Sequence, residues 1–323
     1  MKLCDVPIQT VVRESIIPKN HWVAKSFVCY KNWQGERQII HGFSFSESRN
    51  HAVLVSKAEV LERLFACYDF HKKESVVVKK WSNSSVVGNI SVSEVLIGAT
   101  PMNALAGKDA SGLGWGKSIL QARQHALLEM IERHFLSKVW YEKQPLISFC
   151  RKDTIADDIE IEYTTLDIKD PIPFVLATVS HEHGNFWLCG SAVRTSFRVA
   201  KAKAREEALM LLDSILHKDS VELNPNPDTA VRLLSLRDLK VSLERKQFYD
   251  SLKSSLCLDR KKIRKVSLEM MASKTFGSIA DVHYVILRNE PDGYLVRVLC
   301  ERAYLLKEVR KNKNLHVPMD PFC

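Results

Sequence analysis

Glu129, Glu132 and Arg133 stand three and four residues apart in the stretch SGLGWGKSILQARQHALLEMIERH, Ser111 to His134. On a helix that spacing puts both carboxylates and the guanidinium on one face. Leu127, Leu128, Ile131 and Phe135 then point elsewhere, into a core. Glutamates in so apolar a helix are costly to bury unless something neutralises them. The pattern recurs upstream, where Ala52 precedes Glu59, Glu62 and Arg63 by the offsets that separate Ala122 from Glu129, Glu132 and Arg133. A third, weaker copy keeps Ala200 and Glu207 at the same step but carries Met210 where the second glutamate would fall. One such motif alone is ordinary surface charge. Two full copies, each in an apolar helix, put four carboxylates on two helices that could face one another. Such donors suit a hard divalent cation, most naturally Mg2+ carrying a nucleotide phosphate.

The elements that must position these faces can be read in chain order. The first carboxylate helix begins after SESRN, with Ser46 or Ser48 as its cap, and a strand from Gln38 to Phe45 leads into it. Before that strand the chain reads as irregular, apart from a strand at Ser26–Tyr30. SVVVKKW, from Ser75, is β-branched and strand-like. SNSSVVGN reads as a loop, and SVSEVLIGAT as a further strand. Gly112, Gly114 and Gly116 alternate ahead of the second helix, a pattern that lets backbone amides approach a phosphate, with Lys117 at the helix start. It is neither a P-loop nor a dinucleotide fingerprint, so the glycines alone are a weak nucleotide signal. Between about 145 and 190 four strands follow (PLISF, IEIEYTTLDI, PFVLATVSH and NFWLCGSAV), the last two joined by EHGN as a hairpin. The third helix spans about 198 to 217, NPNPD breaks the chain, and charged helices fill 230 to 275. DVHYVILR and GYLVRVLC pair late, around EPDG. The segment KNKNLHVPMDPFC contains two prolines and cannot be helical there.

At 323 residues the chain can bury a large core, as one large or two smaller domains. Its net charge of +9 is dispersed, with dense stretches at Arg260–Lys265 and Lys307–Lys313. Neither aromatic interleaving nor zinc-finger spacing accompanies them, which argues against nucleic acid and leaves an acidic peptide or partner open. The eight cysteines, at 4, 29, 67, 150, 189, 257, 300 and 323, are scattered singly. That reads as reduced thiols in a cytoplasmic protein rather than a disulfide framework. The N-terminus lacks the apolar run of a secretory signal, and no apolar run is long enough for a membrane helix. His125, His134, His181 and His183 have no Cys or carboxylate partner at metal spacing and read as structural. No arrangement of a covalent nucleophile with its base stands out.

Taken together, these blocks resemble the YcaO family of ATP-dependent enzymes that modify peptide backbone amides. The central block matches the family pattern at Ser111, Gly112, Gly116, Ala122, Glu129, Glu132 and Arg133. The earlier block matches at Ala52, Ser56, Glu59, Glu62 and Arg63, and the later one at Gly190, Ala200, Lys203 and Glu207. The strand YLVRV, with Arg297, is similar to the family's late VxRV strand. The resemblance spans about residues 40 to 300. It implies an α/β (α+β) fold with helices packed on mainly antiparallel sheets, and ATP and Mg2+ held between the helices. It divides the chain into an irregular segment at 1–38, a catalytic domain at 39–305 and a basic, proline-containing tail at 306–323.

Carried over residue by residue, the resemblance implies that Glu59, Glu62, Glu129 and Glu132 ligate Mg2+ or contact ATP. It implies that Ser111, Lys117, Gln121, Arg63, Arg133, Lys203 and Glu207 line the nucleotide. The chain departs from the family at three positions: Lys117 replaces the usual Asn, Gln121 the usual Glu, and Met210 the usual Gln. The tail VPMDPFC is similar to the proline-rich tails of azoline-forming members through Pro318 and Pro321, which implies that the carboxylate of Cys323 could accept a proton. The activity implied is ATP-dependent cyclodehydration, closing Cys, Ser or Thr of a ribosomally made precursor peptide into thiazoline or oxazoline. Thioamide or amidine formation, or a degenerate ATP-binding scaffold in a peptide-modifying complex, are the alternatives. A precursor peptide and a separate peptide-presenting protein are the implied partners, with self-association left open and neither membrane nor nucleic acid expected.

Overall fold

The computed structural model describes residues 7–31, 37–67, 74–96, 110–156, 158–169, 172–181, 186–217, 238–258 and 265–303. Three sheets carry the architecture. The first is the meander β1 (Gln9–Glu14), β2 (Trp22–Lys31) and β3 (Arg37–Ser46). The second has the order β5-β4-β13-β14-β6, from β4 (Ser75–Lys80), β5 (Val86–Ser91), β6 (Leu113–Gly116), β13 (His283–Glu290) and β14 (Gly293–Leu299). The third has the order β11-β10-β9-β7-β12, from β7 (Leu146–Phe149), β9 (Ile159–Leu166), β10 (Phe174–His181), β11 (Trp187–Val193) and β12 (Lys253–Leu258), with β8 (Asp153–Ala156) paired to β9. Among the described pairings all are antiparallel except β12 with β7. The mixed α/β class with mainly antiparallel sheets is therefore the one the sequence implies.

Each sheet carries one long helix. α1 (Arg49–Ala66) lies on β2 and β3 and also reaches β6; α2 (Ile119–Tyr141) lies on β6 and β14 and also reaches β11; α3 (Phe197–Leu216) lies on β10 and β11 and also reaches β3. The three units thus close in a cycle, each helix bridging its own sheet to the next. Serine caps start all three: Ser48, Ser118 and Ser196 accept from the amides of His51, Gln121 and Val199. Asp213 seals the cycle. Fully buried on α3, it accepts Arg13 Nη1 at 3.1 Å, Ser15 Oγ at 3.0 Å and the Ile16 amide at 3.0 Å from the first sheet's end. Two smaller helices, α4 (Leu239–Leu252) and α5 (Leu268–Phe276), pack beside α2, contributing Tyr249, Met271 and Phe276 to its core.

The helix-to-strand contacts explain the glycines. A Cβ at Gly42 would lie 2.2 Å from the Ser56 carbonyl oxygen, one at Gly114 2.3 Å from the Ala126 nitrogen, and one at Gly190 2.4 Å from the Ala204 oxygen. Along β6, Gly116 faces Ala122, Gly114 faces Ala126 and Gly112 faces Met130. Two strand residues advance roughly 6.6 Å and four helix residues roughly 6 Å, so an alternating glycine row keeps register with a helix running back over it. The alternation read as an approach to phosphate is thus a close strand–helix seam.

Three other expectations change. The segment before Ile39 is not irregular, because β1 pairs along its length with β2, and β2 with β3. In SNSSVVGNISVSEVLIGAT the strand falls on Val86–Ser91, and Val92–Glu94 is a 3-10 turn. Val92, Val95 and Leu96, all buried, recur at helical rather than alternating spacing. Cys150 and Cys257, read as reduced thiols, are bonded. The parallel pairing of β12 with β7, invisible in the sequence, brings their Cα atoms to 5.6 Å. The hairpin turn EHGN and the break NPNPD lie outside the described residues.

Gly190→Ala is expected to lower stability by about 1–3 kcal/mol, because the new methyl would push β11 off α3. Gly88→Ala, where a Cβ meets nothing within 4 Å, is the control and should be neutral. Thermal unfolding of the two variants checks the seam; equal midpoints would refute it.

Candidate active site

The seams bring the glutamates to one level. Helix α1 turns Ala52, Ser56, Val60 and Leu64 onto the sheets and leaves Glu59 and Glu62 at its edge. Glu59 Oε2 accepts the Phe43 amide at 2.7 Å, while its other oxygen pairs with Arg63, whose Nη1 donates to the His41 carbonyl at 2.7 Å. Glu62 reaches across to the next sheet, accepting the Trp115 amide at 2.9 Å. On α2, Glu129 pairs with Arg133 at 2.8 Å. Glu132, 5% exposed, reaches the third sheet, where it accepts Ser191 Oγ at 2.5 Å and the Val193 amide at 3.4 Å. Glu207 on α3 accepts the Ser191 amide at 3.4 Å. The second glutamate of each full motif therefore bridges to the sheet of the following unit. Met210, in that place on α3, packs with the apolar core of the third unit instead.

The electrostatics join these groups into one site. Burial, with the Glu129 charge beside it, pushes the Glu62 carboxyl up to about 7, against the pull of the Trp115 amide. Burial, then the charges of Glu207 and Glu129, push Glu132 up to about 8, opposed by Arg133 and the Ser191 hydroxyl. Glu207 is raised by burial, although Lys203 and Arg194 draw it down. Glu129 and its neighbouring carboxylates raise Arg133, which keeps its charge throughout. Glu129 repels a carboxylate on each of the three helices, and so sits at the electrical centre of the site.

Glu59, Glu62, Arg63, Glu129, Glu132, Arg133 and Glu207 thus belong together, and Lys203 stands one helical turn before Glu207, 3.5 Å from Glu206. Ser111 is buried beside Gly112, at the end of β6 level with Met130, and shares this end of α2. Lys117 and Gln121 stand where β6 passes into α2, two and six residues after the Trp115 amide that Glu62 accepts, and Gln121 Oε1 accepts the Lys117 amide at 3.0 Å. Pro318, Pro321 and Cys323 lie outside the described residues. Sequence reasoning missed Ser191 and Arg194. The signal for the first was a glycine seventeen residues ahead of each leading glutamate, Gly42, Gly112 and Gly190, which marks the strand that supplies the anchor.

The donors fit a hard divalent cation in their chemistry: five carboxylates from three helices, two of them held protonated near neutral pH by burial and mutual repulsion. A cation would let them ionise. Among the described residues no three His, Cys, Asp or Glu side chains already close on one point. The oxygens are held by Arg63, Arg133, Ser191 and strand amides.

A family model described as YcaO cyclodehydratase, ATP- and Mg2+-binding, matches residues 93–282. Among solved structures, the chain is similar to YcaO from Methanopyrus kandleri bound with AMPPCP and Mg2+, at 16% identity, covering 94% of this chain and 88% of that one, with a TM-score of 0.62. It is similar to the E. coli microcin synthetase McbBCD complex at 11% identity, covering 93% and 89%, TM-score 0.68. A heterocyclase in complex with substrate and cofactor matches at 11% identity over 89% of this chain and 49% of that one, TM-score 0.63. At these identities the likenesses show the fold. No curated protein matches.

The raised carboxyls fix a direction of pH dependence. Folded, Glu62 and Glu132 hold protons up to about 7 and 8, whereas the unfolded chain releases them near 4.5. Their contribution is therefore full below the unfolded value and lost as pH rises through the folded ones. In chelator, the denaturation midpoint should fall between about pH 5 and 8, and Glu132→Gln should flatten that fall. A wild-type midpoint that rises across this window would refute the assignment.

Proposed function

This chain belongs to the YcaO family, and from that premise we propose that it is an ATP-dependent cyclodehydratase of a ribosomally made precursor peptide. The coarser statement, a YcaO-type ATP-dependent enzyme, follows from the family. The observation that carries the site assignment is the convergence of Glu59, Glu62, Glu129, Glu132 and Glu207, from three helices, around Arg63 and Arg133. We assign Glu59, Glu62, Glu129 and Glu132 to Mg2+, and Ser111, Arg63, Arg133, Lys203 and Glu207 to the nucleotide beside it. Held by these carboxylates, Mg2+ would offset the negative charge of the phosphates.

In the reaction, a Cys, Ser or Thr side chain of the peptide bonds to the preceding carbonyl carbon and gives up its proton. The γ-phosphoryl group passes to the former amide oxygen and ADP departs. That carbon–oxygen bond then breaks, phosphate leaves and the nitrogen loses its proton, closing the C=N bond of the ring. The protein's part is positioning and charge. Arg63 and Arg133 take up the negative charge of the transferring group.

The departures from the family pattern are compatible with activity. Lys117 and Gln121 stand at the start of α2, next to the strand that holds Glu62, and the five carboxylates named above are all in place. We propose that a separate protein presents the precursor peptide. A scaffold reading rests on Met210, which closes the α3 position with an apolar side chain.

Calorimetry with AMPPCP and Mg2+ should give binding to the wild type and a loss of at least about tenfold for Glu132→Gln, since a ligand to the cation is removed. With a substrate peptide whose backbone amide carries oxygen-18, cyclodehydration should deliver the label to phosphate and take one water mass from the peptide. Nucleotide binding without label transfer, in the presence of the presenting partner, would leave the scaffold reading.

A further inference from the structure

β12 is weakly held to the third sheet. It is an edge strand, paired in parallel with β7 through three residue pairs whose register shifts after the first. Ser255, Leu256 and Cys257 are exposed along it. Two anchors fix it. At its start the Lys253 ammonium meets Glu162 at 2.9 Å and Asp250 at 2.7 Å, and near its end Cys257 is bonded to Cys150, just past β7. Both cysteines are exposed, so a thiol in solution reaches the bond without opening the core. β12 also continues α4 without a break, Leu252 to Lys253, and α4 packs against elements that carry the site. Tyr249 shares a hydrogen bond with Thr164 of β9 at 2.7 Å, and its ring lies 5.4 Å from that of Trp187 on β11. The ring of Phe248 lies 4.8 Å from that of Trp140 on α2, and Trp140 stacks on Trp187 at 6.3 Å. Ser191 follows Trp187 by four residues on β11, and Glu132 precedes Trp140 by eight on α2.

We propose that the Cys150–Cys257 bond is a reversible redox latch. Closed, it seats α4 against α2 and β11; opened by a dithiol, it frees β12 and slackens the seam where Ser191 holds Glu132. The exchange balances between the two molecules. A thiolate of the dithiol attacks one sulfur, and the other cysteine leaves as a thiolate that takes up a proton. The second thiol of the dithiol then displaces the first cysteine. Two electrons and two protons thus pass to Cys150 and Cys257, and the dithiol becomes a disulfide. Position is what favours a switch over a plain crosslink. A bond between two core strands would be shielded and would only add stability. This one joins an edge strand to its neighbour, closes 107 residues of chain and takes hold beyond the point where the ladder shifts. Local opening there gives up few buried contacts. The inference rests on the proposed function only in what the latch governs, which is nucleotide binding.

The test uses the full chain with and without dithiothreitol. Reduction should open two further thiols to a thiol reagent. It should speed amide exchange along Lys253–Leu258 by at least about tenfold and shift the tryptophan emission, since Trp140 and Trp187 flank α4. AMPPCP binding in Mg2+ should weaken at least about fivefold. Cys150→Ser with Cys257→Ser, both at exposed positions, should reproduce the reduced state and give no response to dithiothreitol. A thiol count unchanged by reductant, or unchanged exchange in β12, would overturn the latch. So would a dithiothreitol response that survives in the double variant, which would put the switch at other cysteines. Faster exchange with unchanged AMPPCP binding would overturn the link to the site. Faster exchange and shifted emission in a protein that binds AMPPCP in neither state would keep the latch and remove the nucleotide reading instead.

Discussion

The structure depends on the cost of burying carboxylates. A glutamate removed from water must be given donors or a proton, and here the donors are strand amides. Phe43 serves Glu59, Trp115 serves Glu62, Val193 serves Glu132, and Ser191 serves Glu207. Two of these bonds run within a unit and two run to the next one. The same groups that form the site therefore fasten the three sheets together. Chemistry and architecture are not separable here, since loosening one seam would release a carboxylate.

Close packing is what makes those bonds reachable. A glutamate side chain extends only a few ångströms, so helix and strand must approach more closely than ordinary side chains allow. Gly42, Gly114 and Gly190, set against Ser56, Ala126 and Ala204, supply that approach. The alanines seven residues ahead of each leading glutamate, Ala52, Ala122 and Ala200, are all fully buried in the same seams. The shared residue grammar of the three blocks is thus largely a packing grammar, with the carboxylates placed where the packing ends.

This accounts for what the sequence disclosed and what it hid. Helices α1, α2 and α3 were legible because their apolar stripes, and for α1 its serine cap, are local signals. The joining of their glutamates was legible only through repetition, since a single ExxER carries no information about its partner. The glycine row was read for the wrong ligand, because an alternation on a strand can serve a phosphate or a helix, and only the helix that follows decides. β1, β12 and the Cys150–Cys257 bond were not legible, because they follow from pairings between distant segments. Ser191 escaped for a related reason. Its hydroxyl matters only because α2 crosses β11 there, a contact between segments 59 residues apart.

The third unit shows what the cyclic plan asks of each position. α1 sends Glu62 forward to β6 and α2 sends Glu132 forward to β11, but α3 has Met210 there and uses Asp213, one turn later, to hold Arg13, Ser15 and Ile16. The forward link survives with its chemistry displaced by three residues, from the carboxylate centre toward the first sheet's edge. Asp213 there meets a guanidinium, a hydroxyl and an amide, a complete set of donors, whereas Glu62 and Glu132 have only amides and one hydroxyl and stay raised toward neutrality. One link of the cycle is therefore satisfied by protein alone and two retain capacity for a cation. Under the proposed function that asymmetry assigns the cation to the junctions of α1 with α2 and of α2 with α3, and leaves the closing junction structural.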